Sequence, residues 1–305
     1  MKQKKLYGPL VVFSLIVLLL PAVLTAISED DVKAVLNDMN GQLAAMGENI
    51  QVSEVEIHTN MAETGESGLI VYFNNRAKQS GSHWVPFDPN RGGTRDITWL
   101  SDMGDGIANG CTLAETQAAL DRAMNTWNTV NCATIPLVKL PDYGIDWGYV
   151  QYLVGYGGVP GWYADVTEAG WLPQEFFDLL FGPGNSVLGV TYTFVWIDTT
   201  TGLPTDMDNN GKQDVAFREV YYNNKYLWGI DNPTSYPVDV ESIALHENGH
   251  SLSLGHFGKL FRTPNGKLHW APQAVMNAGY VFPQQELTGT DIGGFCGVWG
   301  SWPNN

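Results

Sequence analysis

The sequence predicts an α+β fold: a twisted mixed sheet, two long helices and a loop-rich C-terminal subdomain. Three observations predict it. VLGVTYTFVWID (187–198) and DVAFREVYYN (214–223) are rich in β-branched and aromatic residues and read as long strands. TLAETQAALDRAMNTWNTV (112–130) and a stretch opening at Asp239 carry helix signals. After His256 the chain is dense in Gly, Pro and Asn and reads as mostly loop. At 305 residues and 44% apolar content, the chain can bury a full core.

In chain order, MKQKKLYGPLVVFSLIVLLLPAVLTA (1–26) has three lysines, an apolar run and then small residues, the layout of a secretory signal peptide. Its run from Leu10 to Leu20 is short of the roughly 20 residues a bilayer span needs; an uncleaved anchor is the alternative. Apolar side chains at 32, 35, 36, 39, 43 and 46 form a helical stripe after an acidic first turn. IQVSEVEI and GLIVYFNN read as strands, and residues 80–95, rich in Gly, Pro, Asn and Asp, read as a loop and a boundary.

ITWL (97–100) is a short strand. Thr112 and Glu115 match a capping box, and Leu120, Ala123, Met124 and Trp127 form the apolar face of the helix behind them. TIPLVKL follows as a strand. Residues 141–186 are dense in Gly, Tyr, Trp and Pro, with a short helix around PQEFFDLLF; their aromatics are read as buried packing sooner than as a ligand surface. Asp239 is a good N-cap for VESIALHENGHSL. The expected organisation is a signal peptide (1–26), an N-terminal region that is either removed on maturation or part of the mature protein (27–95), and a main domain (96–305).

Sixteen basic against 32 acidic side chains give a net charge of −16. No basic block lies beyond the extreme N-terminus, so the electrostatic footprint of a nucleic-acid binder is absent. Cleavage near Ala26 would remove three lysines and deepen the acidity. Three cysteines fit an oxidising compartment but cannot all pair within one chain. Cys111 and Cys132 flank a helix spanning roughly 27 Å, whereas bridged Cα atoms lie within about 7 Å. Cys296 is then the partner open to either, with Cys132 preferred; three free thiols remain the alternative.

The chemistry concentrates in HENGHSLSLGH (246–256). His246 and His250, four residues apart on a helix, place both imidazoles on one face, about 40° apart around the axis. Two such nitrogens suit adjacent corners of a zinc tetrahedron. Glu247 points beside them, where its carboxylate can serve as general base to a zinc-activated water. His256 supplies a third nitrogen only if the chain turns sharply after residue 252. Six histidines in 305 residues fall into this pattern by chance on the order of once in ten thousand chains, so a zinc centre is expected.

This motif resembles the extended zinc signature of the metzincin metallopeptidases, nearest to the matrixin-like branch and to uncharacterised secreted matrixin-like proteins of bacteria and archaea. The resemblance covers roughly residues 96–300. It implies a metzincin-like zincin fold, a zinc-dependent endopeptidase, zinc on His246, His250 and His256, Glu247 as base, and Met276, in APQAVMNAGY, supporting the ligands from a tight turn. It also makes ITWL, the helix through Trp127 and TIPLVKL similar to the first strand, first helix and second strand of those domains. The departure is Ser253, where the family has glycine. A serine at positive φ costs on the order of 1 kcal/mol, small against about 10–16 kcal/mol for structural zinc binding, so the turn and the site are expected to form.

DMDNNGKQD (206–214) spaces Asp206, Asp208, Asn210 and Asp214 around Gly211 like the first half of a calcium loop, without its bidentate glutamate, since Phe217 stands there. A structural Ca2+ turn or a merely acidic turn are both open. His58, His83 and His269 are isolated and receive no role; Tyr280 is assigned to packing sooner than to an oxyanion.

The expectation is a secreted, extracellular zinc endopeptidase whose partner is a protein or peptide substrate. No stable membrane association is expected once the signal is cleaved. Its substrate would lie as a strand along the sheet edge beside the cleft, with VAFREVYYN as that edge's neighbour. The competing class is a secreted binding protein with structural zinc and an aromatic surface for glycans or cell-wall material. No cysteine lies in 27–95, so no cysteine-based latency is expected.

Overall fold

A computed structural model describes residues 27–61, 69–72, 80–232 and 234–304. The signal segment 1–26 lies outside them, as does much of GLIVYFNN. The molecule is α+β: among the described residues, six α-helices pack around one large mixed sheet and two small two-stranded sheets. None of these helices is long and apolar enough to cross a membrane.

Helix α1 (Glu29–Met46) buries Val32, Leu36, Met39 and Leu43, the predicted stripe, and ends on Gly47 at φ 80°. Strand β1 (Ile50–Asn60) follows, then β2 (Leu69–Tyr72) and the short β3 (Ser82–His83). Strand β4 (Ile97–Ser101) leads into α2 (Leu113–Asn128), whose Thr112–Glu115 capping box forms as expected, and then β5 (Leu137–Lys139).

Between 141 and 186 lie α3 (Tyr149–Leu153), β6 (Val166–Leu172) and α4 (Gln174–Phe181). β6 had no sequence signal because both its faces are buried, which erases the alternation that marks a half-exposed strand. Strands β7 (Val187–Asp198) and β9 (Gln213–Asn223) match the strongest expectations, and the short β8 (Leu203–Pro204), which was not expected, lies between them. After the short pair β10 (Trp228–Gly229) and β11 (Val238–Asp239) comes α5 (Val240–Ser251), capped by Asp239.

The tail is more regular than expected. It holds a hairpin of β12 (Lys259–Arg262) and β13 (Leu268–Ala271), then β14 (Gly279–Tyr280) and α6 (Gly289–Trp299). Four glycines in α6 hide it from propensity. A second capping box, Thr288–Asp291, and burial of Phe295 and Trp299 hold it in place. Cys296 on α6 bridges Cys132 with a Cα separation of 5.6 Å, the preferred pairing, and Cys111 is free.

The main sheet runs β14-β1-β7-β9-β6-β4-β5. β5, β4, β6 and β9 are mutually parallel, β7 runs antiparallel to β9, and β1 antiparallel to β7. One face carries α2, α5 and α6 over a tryptophan-rich core with Trp84, Trp127, Trp171 and Trp299. The other carries α1, α3 and α4 over a second core that includes Val55, Ile57, Phe194 and Phe217.

Two placements bear on the site. β9, expected beside the substrate edge, is interior, with β7 on one side and β6 on the other, so it can border no incoming strand. Residues 80–95 are not a loose linker: Trp84 is fully buried and its indole N–H donates to the Ser251 carbonyl at 3.0 Å. The main sheet also has no break at residue 95, since β1 lies within it. The aromatics of 141–186 divide: Tyr149 and Trp171 are buried and Trp162 stacks on Phe217, while Tyr143 and Tyr163 stay exposed.

Candidate metal centre

α5 is buried along its whole length, so its sequence shows little amphipathic contrast. Several of its backbone carbonyls are met by side chains from elsewhere. The indole N–H groups of Trp127 and Trp299 donate to the carbonyls of Leu245 and Leu252, both at 2.8 Å. Arg218 of β9, fully buried, donates through Nη1 to the carbonyls of His250 at 2.5 Å and Ser251 at 2.8 Å. Its other nitrogens reach Thr193 Oγ1 and Ser82 Oγ. A guanidinium on the last carbonyls of a helix also opposes the negative end of its dipole.

The helix ends at Leu252, and Ser253 stands at φ 66°. Ser253 N–H donates to the His250 carbonyl at 2.8 Å and Leu254 N–H to the Gly249 carbonyl at 3.0 Å. This is the double hydrogen bond of a Schellman stop, with serine in the left-handed position that glycine usually takes. The stop turns the chain and returns His256 to the helix face.

The three predicted ligands converge. His246 and His250 Nε2 lie 2.9 Å apart, His250 and His256 Nε2 3.1 Å, and His246 and His256 Nε2 3.2 Å. His246 Nδ1 pairs with the Val275 carbonyl at 2.7 Å and His250 Nδ1 with the Leu254 carbonyl at 2.8 Å. Those carbonyls fix the tautomer: each Nδ1 carries the proton, and each Nε2 presents a lone pair. Burial drives all three imidazoles towards the neutral form, His250 down to about 3. Lone pairs facing one another in a buried pocket repel, and a cation removes that conflict. Zinc–nitrogen bonds of 2.0–2.1 Å in a tetrahedron put neighbouring nitrogens about 3.3 Å apart, so the donor set fits zinc.

Glu247 is fully buried beside the histidines. Its Oε2 accepts from Thr191 Oγ1 of β7 at 2.7 Å, while Oε1 has no hydrogen-bond partner. A Cβ on Gly189 would stand 2.6 Å from that free oxygen, so glycine makes the room. Burial pushes the Glu247 carboxyl well above the usual range, the Thr191 hydrogen bond opposing.

Met276 is fully buried, and a Cβ on Gly249 would meet its sulfur at 2.2 Å. The methionine therefore packs against α5 one residue before His250. Its turn is held by α6: Asp291 accepts from Val275 N–H at 3.0 Å and Met276 N–H at 3.1 Å. Tyr280 is buried, and its hydroxyl accepts from Asp239 N–H at 3.2 Å, a packing and capping position.

Several residues here had no sequence assignment. His58 of β1 stacks on His246 with ring centroids 3.7 Å apart. Glu56 Oε1 lies 2.9 Å from His250 Nδ1 without hydrogen-bond geometry, the Nδ1 proton being directed at Leu254. Thr191, Gly189, Arg218 and Asp291 complete the surround. One signal was present: in SEVEIHTN the polar side chains Glu54, Glu56 and His58 alternate onto a single face.

At the second predicted site, ligand atoms of Asp206, Asp208 and Asp214 come within 4.8 Å of one another. Gly211, at φ 80°, makes the sharp turn, and its N–H donates to Asp206 Oδ2 at 3.0 Å. The side-chain oxygen of Asn210 accepts from Lys212 N–H at 2.8 Å. His83 packs edge-on to Trp299, and His269 stacks on Phe261 at the β12–β13 hairpin.

No family model matches the chain, and no curated protein matches it.

Proposed function

We propose that this chain is a secreted zinc-dependent endopeptidase of the metzincin type, nearest to the matrixin-like branch. The observation that carries the reading is the convergence of three imidazole Nε2 atoms within 3.2 Å beside a glutamate with one oxygen free. The strand–helix–strand of β4, α2 and β5 and the Met276 turn under α5 support the same family.

Zinc on His246, His250 and His256 would supply a Lewis acid that polarises a peptide carbonyl and lowers the pKa of a water towards about 7. Glu247 Oε1 is the atom that takes the water's proton and returns it to the leaving amine. Thr191 holds Oε2 and so sets the direction of Oε1. The carbonyls of Val275 and Leu254 keep His246 and His250 in the tautomer that binds. Asp206, Asp208 and Asp214 form a candidate Ca2+ turn that stiffens the β8–β9 connection without entering the chemistry.

Burial of Glu247 and both helix histidines favours one competing reading, a secreted binding protein with structural zinc. The two separate by measuring zinc content and hydrolysis of a denatured protein, before and after limited tryptic digestion, for the chain and for Glu247→Gln. Zinc in both and hydrolysis in the parent alone is expected. Zinc in both without hydrolysis by either, before or after digestion, would leave a narrowly specific peptidase or the binding-protein reading.

A further inference from the structure

The β12–β13 hairpin is inserted between His256 and the Met276 turn, and its root is tied to that turn. Phe257 N–H donates to the Met276 carbonyl at 2.8 Å. Asn277, buried, donates through Nδ2 to the carbonyls of Phe257 at 2.9 Å and Pro272 at 3.1 Å, one at each end of the hairpin. Gly258, at φ 81°, permits the approach, since a Cβ there would stand 2.7 Å from the Pro272 carbonyl. His246 and His250 are fully buried, whereas His256 reaches the surface in part. Lys259 follows His256 by three residues, a reach of at most about 11 Å. The hairpin thus stands beside the imidazole nearest to solvent.

The two faces of the hairpin differ. The register pairs Leu260 with Trp270 and Phe261 with His269. Side chains alternate across a strand, so Leu260, Leu268 and Trp270 share one face. All three are half-buried, and the Trp270 indole donates to the Gly279 carbonyl at 3.2 Å. Lys259, Phe261 and His269 share the other face and are exposed, Phe261 stacking on His269 with ring centroids 5.6 Å apart. Lys267 continues this face, where Thr263 N–H donates to its carbonyl at 2.9 Å.

Charge sets the exposed face apart. Residues 248–285 hold Lys259, Arg262 and Lys267 and no carboxylate, in a chain of net charge −16. Lys33, Arg91, Arg122 and Lys139 are each paired with a carboxylate, and among the described residues the hairpin cations are not. Arg262 turns back on the hairpin's own loop and donates to the Gly266 carbonyl at 2.9 Å. What remains is an exposed aromatic pair flanked by two unneutralised ammonium groups. Cations spread over 259–267 lack the density of a nucleic-acid or heparin patch, which packs Lys and Arg into a run of about 5–8 residues. A long polyanion would also meet the acidity of the rest of the molecule. A short acidic stretch of polypeptide meets this face alone.

We propose that the β12–β13 hairpin is a docking site for acidic polypeptide segments, with Lys259 and Lys267 holding carboxylates and Phe261 an apolar side chain between them, and that it selects the substrates presented to the metal centre. The substrate role rests on the peptidase reading; the docking does not.

The test is binding by the full chain, carried as Glu247→Gln so that no probe is cleaved. Fluorescence anisotropy follows a labelled peptide with glutamates on both sides of a phenylalanine, and its counterpart with glutamines. The acidic peptide should bind about tenfold tighter or more. That margin should shrink as NaCl rises from about 0.1 M to about 1 M and the screening length falls from about 10 Å to about 3 Å. Lys259→Gln with Lys267→Gln should erase it, whereas Lys33→Gln with Lys225→Gln, an equal change of net charge elsewhere, should keep it. Equal binding of the two peptides, a margin indifferent to salt, or a loss common to both double variants overturns the docking. The salt readout uses the unaltered hairpin and stands whether or not the variants fold. Heparin that binds tighter than the acidic peptide, and is lost with the hairpin lysines, assigns the face to sulfated polysaccharide and overturns it too. Where the chain with Glu247 intact hydrolyses peptide, equal kcat/KM for the two peptides overturns the substrate role. Docking that passes these tests in a chain that never hydrolyses either peptide supports the site and counts against the peptidase reading alone.

Discussion

At the scale of single residues, Ser253 shows how a motif survives a departure from its pattern. Its φ of 66° is strained for a residue with a Cβ, and its hydroxyl is buried without a hydrogen-bond partner. Both costs are small beside what the Schellman turn secures, the return of His256. Ser253→Gly is therefore expected to stabilise the chain by about 1 kcal/mol, raising Tm by about 2 °C for a domain of this size; calorimetry that shows a loss would contradict the strain argument. Arg218 is the opposite case, a residue with no motif that carries several contacts at once. Arg218→Met would take one donor from each of the carbonyls of His250 and Ser251, which keep the Ser253 N–H and the Trp84 indole, and leave Glu54 and Glu56 buried without their cation. Urea unfolding should show a loss of about 3–5 kcal/mol.

At the scale of elements, the site depends on one helix supporting another through a turn. Asp291 at the start of α6 grips the N–H groups of Val275 and Met276, the Val275 carbonyl grips His246, and Met276 fills the space beside Gly249. Asp291→Asn, which weakens the grip without removing the helix, should lower zinc affinity 10–100-fold in competition with a chelating dye. Unchanged affinity would show that the Met276 turn holds without α6. The existence of α5, its Asp239 cap and its ligand spacing were legible because they are local. α6 and β6 were not, since glycine-rich sequence in one and two-sided burial in the other remove the periodic signal. His58 and Asp291 could not be assigned for a related reason: each lies far along the chain from the ligands and meets them only after folding.

Across the whole molecule, buried carboxylates on β1 couple the fold to pH. Burial, and then the charge of Glu56, raise the Glu54 carboxyl from 4.5 to about 7, Arg218 opposing. The folded state thus holds this proton more tightly than the unfolded state. The stability it contributes is full below about pH 4.5 and is lost as pH rises through about 7. Melting should therefore fall between pH 5 and pH 8 in the parent and fall less in Glu54→Gln, by up to about 3 kcal/mol. Parallel pH profiles for the two chains would rule out this linkage.

The sequence by itself determined the three-histidine cluster and the glutamate on the same helix, the caps that start α2 and α5, and most of the strands, because each is written in spacing over a few residues. Tertiary structure alone decided which strand borders the metal and what already lies on it. Strand order, and the burial of a polar face against another element, follow from contacts between segments more than a hundred residues apart, and no local pattern encodes them.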